Sequence, residues 1–315
     1  MKIILFSIFL FVTAPYVLAE AAGLEIDSHL GRHFRFVAYG DTRFTDPANI
    51  TDTNPIIRQM IVRAIATEHP SFISFGGDIP MEGSKADDWK IYDQETSVWR
   101  ENRIAVYPAM GNHEIKSNPA IGLDNFFAHF PALERNRFYS VRAGNTLLLT
   151  LDSNLDETEG EQGEWLRQQF KYISPNVKFV FISLHHPLVT SAGDKTNGRS
   201  GSSARPAEQK LAVFLEEQQK TMKARIVAFS SHVHNYERHE RGGVTYFVTG
   251  GGGAHAYPIS RLTDDPYQST ETNYHYLLLE VNGDKLTVTM KRIELVDGTA
   301  KWSTPDKVTI TTSRH

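Results

Sequence analysis

The sequence predicts a layered α/β fold, two β-sheets stacked face to face and flanked by helices. Two observations carry this. From His33 to Phe229 short apolar runs alternate with segments of helical period, whereas after Val244 strand-like runs follow one another with only Gly or Asp-Gly turns between them. In addition, nearly every apolar run of the first part stops at Asp, Asn or His, polar ends that a stack of strands would bring to one edge.

Taken in order, His33 to Tyr39 reads as a buried strand ending at Gly40-Asp41-Thr42-Arg43. Asn54-Pro55 opens a helix, Asn54 as the cap and Pro55 at the first helical position. Ile56, Ile57, Met60, Ile61, Ala64 and Ile65 follow at helical spacing and predict its buried face. Phe72 to Phe75 is a second strand, ending at Gly76-Gly77-Asp78. A helix over Trp89 to Arg100 leads to a third strand, Ile104 to Tyr107, before Gly111-Asn112-His113-Glu114. Tyr139 to Thr150 forms a hairpin about Gly144-Asn145. Glu161 to Tyr172 is helical, with Trp165, Leu166, Gln169 and Phe170 on one side. Lys178 to Leu184 is a buried strand ending at His185-His186-Pro187. The Gly/Ser-rich loop Ser191 to Ala204 precedes a helix from Pro206 with Leu211, Phe214 and Leu215 inside. Arg225 to Phe229 is the strand before Ser231-His232-Val233-His234. Strands Val244 to Thr249, Tyr276 to Val281, Lys285 to Lys291 and Lys307 to Thr311 make the last third mostly antiparallel.

Composition narrows the function. Met1 to Ala21 reads as a cleaved secretory signal: one lysine, an apolar core from Ile3 to Leu18 interrupted by Pro15, and small residues following. Residues 22–315 then form a single domain, secreted or periplasmic, with no stable membrane span after cleavage. A net charge of −4 offers no broad attraction for nucleic acid. The sequence has no cysteine, so export cannot rest on disulfides, and any metal must be held by nitrogen and oxygen ligands.

Those ligands stand at the strand ends: Asp41, Asp78, Asn112 with His113, His185 with His186, and His232 with His234. Asp or Asn beside Gly is ordinary turn chemistry. A turn needs no histidine, however, and independent turns would not repeat such residues at successive buried strands. His232 and His234 lie on one side of a strand end and can serve one metal or two adjacent ones.

In order and spacing, Gly40-Asp41, Gly77-Asp78, Gly111-Asn112-His113-Glu114, His185-His186-Pro187 and His232-Val233-His234 resemble the signature blocks of the calcineurin-like metallophosphoesterases. His232 to Arg238 is most similar to the purple acid phosphatase branch. The resemblance implies a four-layer αββα sandwich of two mixed sheets flanked by helices, and a centre of two metal ions (Fe, Mn or Zn). It makes Asp78 the bridging carboxylate, gives Asp41 and His234 to the first ion, and gives Asn112, His185 and His232 to the second. His113 becomes the histidine beside the leaving group, and Glu114 orients a neighbouring ligand. His186 faces a ligand or the substrate. His255, after the run Gly250 to Gly253, is a further candidate for that position, although the run equally well joins two strands.

Two cations stabilise the attacking and leaving oxygens of a phosphate ester and acidify water, and a protonated His113 can donate to the leaving oxygen. The chain departs from the family pattern in two places. Arg43 stands where most members have a histidine ligand, and Met81 where the purple acid phosphatases have a tyrosine. Without that tyrosine no purple colour is expected. Arg43 has no acceptor to offer a metal. Its planar donors suit a phosphate oxygen or, equally, a salt bridge to Asp46 or another rim carboxylate. The sequence thus predicts an exported metal-dependent phosphoesterase acting on small phosphate monoesters, with diesterase or nucleotide pyrophosphatase activity, or a weakly active metal- and phosphate-binding module, as alternatives.

Overall fold

The computed structural model describes residues 23–193 and 203–312. The expected signal segment, the centre of the Ser191 to Ala204 loop and His315 lie outside them. The strands are β1 (Leu24–Asp27), β2 (His33–Tyr39), β3 (Phe72–Phe75), β4 (Ala105–Pro108), β5 (Tyr139–Ala143), β6 (Thr146–Thr150), β7 (Phe179–Ser183), β8 (Arg225–Ser230), β9 (Tyr236–Arg241), β10 (Val244–Thr249), β11 (Tyr274–Asn282), β12 (Lys285–Val296), β13 (Thr299–Ser303) and β14 (Lys307–Thr311). The helices are α1 (Pro55–Thr67), α2 (Ala86–Glu95), α3 (Ser97–Glu101), α4 (Pro119–His129), α5 (Gly160–Lys171) and α6 (Pro206–Thr221).

They assemble into two seven-stranded mixed sheets, β1-β5-β6-β7-β8-β10-β9 and β13-β12-β11-β2-β3-β4, with β14 also pairing β12 in the second. Strand alternation sorts the side chains into layers. Phe36 of β2 points at the other sheet, its ring centroid 5.0 Å from Phe181 and 6.3 Å from Phe229. Tyr39, three positions on in the same strand, points outward, 6.1 Å from Trp99 of α3. On the opposite sheet Val180 and Ile182 turn away from the sandwich centre and pack with Trp165, Leu166 and Phe170 of α5 and Leu211 and Leu215 of α6. The order helix, sheet, sheet, helix is therefore the four-layer sandwich expected. Each fully buried Phe of the inter-sheet layer contributes roughly 1.5–3 kcal/mol, and Phe36→Ala would cost about 3–5 kcal/mol.

Helix α1 starts as its sequence predicts, the Asn54 side chain accepting the Ile57 N–H at 3.1 Å. Its buried face is narrower and rotated: Ile56 is 58% exposed, while Ile57, Arg58, Ile61, Val62 and Ile65 are buried. Ile56 lies a full 100° from Ile57 on the helical wheel. Arg58 is tolerated inside because Glu95 of α2 pairs with it at 2.7 Å. The single helix expected from Trp89 to Arg100 is two helices, broken at Thr96, whose hydroxyl bonds the Tyr92 carbonyl at 2.6 Å. The last third is antiparallel along β11 to β14, but β10 joins β8 in parallel. No helix among the described residues is long and apolar enough to cross a membrane.

Strands β2, β3 and β4 run parallel, as do β6, β7 and β8, so the carboxyl ends of each set share an edge. Across the sheets, the Ser74 and Ser183 hydroxyls meet at 3.0 Å and the Tyr139 hydroxyl donates to the Pro108 carbonyl at 2.9 Å. These contacts bring the two sets of strand ends to one rim.

Candidate metal centre

The strand-end residues Asp41, Asp78, Asn112, His185, His232 and His234 all arrive at that rim, from both sheets. The loop after β2 runs beside the loop after β3, with the Asp41 N–H on the Gly77 carbonyl, Arg43 on Asp78 and Phe44 on Ile79 at 2.7–3.0 Å. Close approach explains the glycines: a Cβ on Gly77 (φ +86°) would lie 2.6 Å from the Gly111 nitrogen, and one on Gly111 would lie 2.4 Å from Asp78 Oδ1. Asp41, Asp78 and His232 themselves adopt left-handed backbone, with φ of 58°, 52° and 68°. Such positions cost on the order of 1–3 kcal/mol each and persist where the surroundings hold them.

Three ligand atoms converge in one half of the site. His185 Nε2, His232 Nδ1 and Asn112 Oδ1 are each 3.1 Å from the other two. Asp78 Oδ1 lies 3.3 Å from His185 Nε2. The other ring nitrogen of His185 is 2.8 Å from the Gly76 carbonyl, which only accepts, so its proton resides there. Nε2 therefore presents a lone pair to the lone pairs of Asn112 Oδ1. Ligands about 2.1 Å from a common ion sit roughly 3 Å apart at right angles, which is this spacing.

The other half repeats the logic. The Asp41 carboxylate takes the His232 N–H on Oδ2 at 2.7 Å, while Oδ1 is buried with no hydrogen-bond partner, 3.5 Å from His234 Nε2. His234 Nδ1 is 2.9 Å from the His255 carbonyl, so this Nε2 also carries a lone pair. Asp41, Asp78 and His234 offer ligand atoms within 4.8 Å of one another. An orphaned buried oxygen beside a nitrogen lone pair fits a cation, and the residues present fit metal binding in both halves.

Burial pushes Asp41 up to about 7, with Asp78 adding to the shift. Burial also acts against the Asp78 carboxylate, yet His185, His113 and Arg43 together hold it well below the usual range. The Asp78 loop is anchored by Glu114, which accepts the N–H groups of Asp78 (3.0 Å), Ile79 (2.7 Å) and Gly111 (2.6 Å). Burial and Asp78 raise Glu114 to about 8, against the pull of those three donors. His113 places Nε2 3.7 Å from Asp78 Oδ2 and Nδ1 on the Met81 carbonyl, and burial lowers it to about 4.

Arg43 does not pair with Asp46: its Nη2 lies 3.3 Å from Asp78 Oδ2. The His186 ring lies 4.5 Å from the His232 ring at a tilt of 43° and is fixed by Ser153, whose hydroxyl is 2.8 Å from Nδ1 and takes the His186 N–H. The His255 imidazole is exposed, so this residue reaches the site through its carbonyl alone. The supports that the sequence leaves hidden are chiefly carbonyls, of Gly76, Met81 and His255, which carry no residue signature. Ser153 and Asn154, the latter donating to the Met110 and Gly111 carbonyls, stand right after β6 beyond Asp152, the one signal that would have found them.

A second His and carboxylate group stands on β9. His239 Nε2 is 3.0 Å from Glu237 Oε2, and Nδ1 is 3.1 Å from Asp265 Oδ1. Glu237 also accepts the Thr190 hydroxyl at 2.6 Å and the Ser191 N–H at 2.7 Å, and Asp265 accepts the Leu262 N–H at 2.9 Å.

A family model of calcineurin-like phosphoesterases matches residues 34–236, and no curated protein matches the sequence. Among solved structures, the purple acid phosphatase PPD1 of yellow lupin (Lupinus luteus) seeds aligns with TM-score 0.68 and 18% identity, over 89% of this chain and 54% of that one. This chain thus spans about half the lupin protein's length. GAP50 of Plasmodium, the anchor in the inner membrane complex, aligns with TM-score 0.59 and 14% identity over 90% of each chain. A dimetal phosphatase from Danio rerio aligns with TM-score 0.51 and 12% identity over 89% of this chain and 99% of that one. These likenesses share the sandwich, and the family match covers every strand end described above. The chain belongs to the calcineurin-like phosphoesterases, metal-dependent hydrolases of phosphoric esters.

Proposed function

We propose that this chain hydrolyses phosphate monoesters at a centre of two metal ions. Asp78 would lie between the ions, with Asp41 and His234 on one and Asn112, His185 and His232 on the other. The observation that carries the reading is the convergence of ligand atoms, Asn112 Oδ1 3.1 Å from His185 Nε2 and Asp41 Oδ1, buried with no hydrogen-bond partner, 3.5 Å from His234 Nε2. When bound, the ions supply Lewis-acid polarisation of the ester and a more acidic water.

The protein's own groups do the rest. The Met81 carbonyl fixes the His113 ring so that Nε2 is the atom facing the site. Because the Met81 carbonyl takes the Nδ1 proton and burial lowers His113 to about 4, Nε2 carries a proton only in the imidazolium form, which acid conditions favour. That form would pass it to the departing oxygen, a step worth about 10²–10⁴ in rate. Arg43, 17% exposed at the mouth, adds a permanent positive charge whose planar donors suit a dianionic monoester. Glu114 holds the Asp78 and Gly111 backbone in place, and His186, locked by Ser153, walls the side next to His232. The likeness to a purple acid phosphatase supports the monoester reading. The signal-like Met1 to Ala21 supports export, which mass spectrometry of the mature N-terminus would check against cleavage after Ala19 or Ala21.

The deciding experiment compares p-nitrophenyl phosphate with bis-p-nitrophenyl phosphate on metal-reconstituted protein, with metal counted per chain. Monoester turnover that disappears in Asp78→Ala and His113→Ala is expected. Turnover of the diester alone overturns the monoester assignment, and no turnover with any divalent or ferric ion overturns hydrolysis at this centre.

A further inference from the structure

We propose that Arg43 competes with a metal ion for Asp78, so that the two halves of the centre fill unequally and phosphate promotes filling of the weaker half. The inference rests on the reading that the centre binds metal, and it assigns to that centre a built-in control of its own loading. The half formed by Asn112, His185 and His232 holds its ion tightly. The half formed by Asp41, Asp78 and His234 exchanges its ion with the guanidinium of Arg43.

Three observations carry this. First, Asp78 divides its oxygens between the halves. Oδ1 accepts the His113 N–H at 3.0 Å and lies 3.3 Å from His185 Nε2, so Oδ2, 3.7 Å from His113 Nε2, is the oxygen we assign to a cation shared with Asp41 and His234. That oxygen is where Nη2 of Arg43 sits, at 3.3 Å. Second, Arg43 cannot be displaced by a simple loop adjustment. Its N–H is bonded to the Asp78 carbonyl at 3.0 Å and its backbone is held left-handed at φ 48°, so the start of the side chain is fixed beside the carboxylate. Third, the guanidinium is poorly satisfied there. Its Nε is buried without a partner, and its charge is permanent.

A divalent ion bound by Asp41, Asp78 and His234 would therefore lose a ligand oxygen to Arg43 and feel a positive charge one carboxylate away. The other half meets no such rival, since its ligand atoms are two imidazole nitrogens, an amide oxygen and Asp78 Oδ1. Arg43 retains some exposure, so its end can turn toward a phosphate oxygen at the mouth, where a guanidinium can pair in bidentate fashion. Phosphate would thus release Oδ2 to the ion. By linkage the ion strengthens phosphate binding by the same factor. A substrate would complete the site that hydrolyses it, and product release would loosen it again.

The test titrates metal-stripped full chain with Mn²⁺, measuring unbound ion by electron paramagnetic resonance, with and without inorganic phosphate. Wild type is expected to bind one equivalent tightly and a second at least ~10-fold more weakly, and phosphate to tighten the second about 10-fold. In Arg43→Gln the second equivalent should bind tightly without phosphate, and the phosphate effect should shrink to under about twofold. Thermal melts confirm that the variant is folded. Two equivalents of equal affinity in wild type overturn the proposal, as does a phosphate effect of the same size in Arg43→Gln. A wild-type chain that binds no Mn²⁺, Zn²⁺ or Fe³⁺ overturns the metal centre itself, an outcome distinct from either.

Discussion

Two clusters of buried histidine and carboxylate stand within a few residues of each other in this chain, and their internal contacts differ in kind. In the group on β9 each acceptor meets a group that can donate. His239 bridges Glu237 and Asp265 through its two nitrogens, and the remaining carboxylate oxygens take hydroxyls and backbone N–H groups. At the strand ends His185 Nε2 faces Asn112 Oδ1, acceptor to acceptor, and Asp41 Oδ1 has no hydrogen-bond partner. The residue types are nearly the same. In the β9 group an imidazole stands between two carboxylates, whereas at the strand ends a carboxylate oxygen and imidazole nitrogens stand where an outside cation would fit. Buried His and Asp by themselves are thus poor indicators of a metal site, and the direction of each proton is a good one.

Changes at the two clusters should separate them, the largest effect first. Asp78→Asn removes the carboxylate shared by both halves and is expected to lower kcat/KM for p-nitrophenyl phosphate by on the order of 10³ or more, with metal lost from the chain. His113→Ala should cut kcat by about 10²–10⁴ while metal content, read by elemental analysis, stays unchanged. His239→Asn should do the opposite. It leaves two buried carboxylates without their shared partner and should cost about 3–5 kcal/mol in urea unfolding, with the metal content of the folded fraction preserved. Adding Mn²⁺ to metal-stripped protein at 100 times its Kd should stabilise wild type by about 2.7 kcal/mol. The same increment in His239→Asn and its loss in His185→Ala would place the ion at the strand ends and not on β9.

The smallest expected effect concerns a buried histidine outside both clusters, His275. Burial lowers His275 to about 4. Its folded pKa therefore lies below the unfolded value near 6.5, so the unfolded chain takes up a proton first and stability falls as pH drops from about 6.5 towards 4. Relative to pH 8, metal-free protein at pH 5 should lose about 2 kcal/mol from this group. Urea titrations of His275→Gln should recover most of that loss.

Much of this was legible in the sequence, for identifiable reasons. Gly77-Asp78 and Gly111-Asn112-His113 could be read because each ends a buried apolar run, and an apolar run marks a strand whichever sheet it joins. Strand β9 escaped because Tyr-Glu-Arg-His-Glu-Arg has the charge of a surface loop, and only a structure places it at a sheet edge beside β10. Ile56 was misassigned to the core because six apolar residues on α1 define a stripe wider than the one that packs. The Arg43 contact could not be chosen from sequence, since Asp46 and Asp78 were both within reach of a long side chain. What decided it was the pairing of two loops through backbone hydrogen bonds.

One bond at the rim links events far from it. The His232 N–H belongs to a residue following β8 of one sheet, and it ends on Asp41, which follows β2 of the other, 191 positions earlier in the chain. The bond therefore holds the loop after β8 against the loop after β2, and it breaks when either loop moves off the other. Exchange of this amide with solvent deuterium thus reports the local opening of the rim between the sheets, whereas an amide bonded within its own strand or helix reports on that element alone.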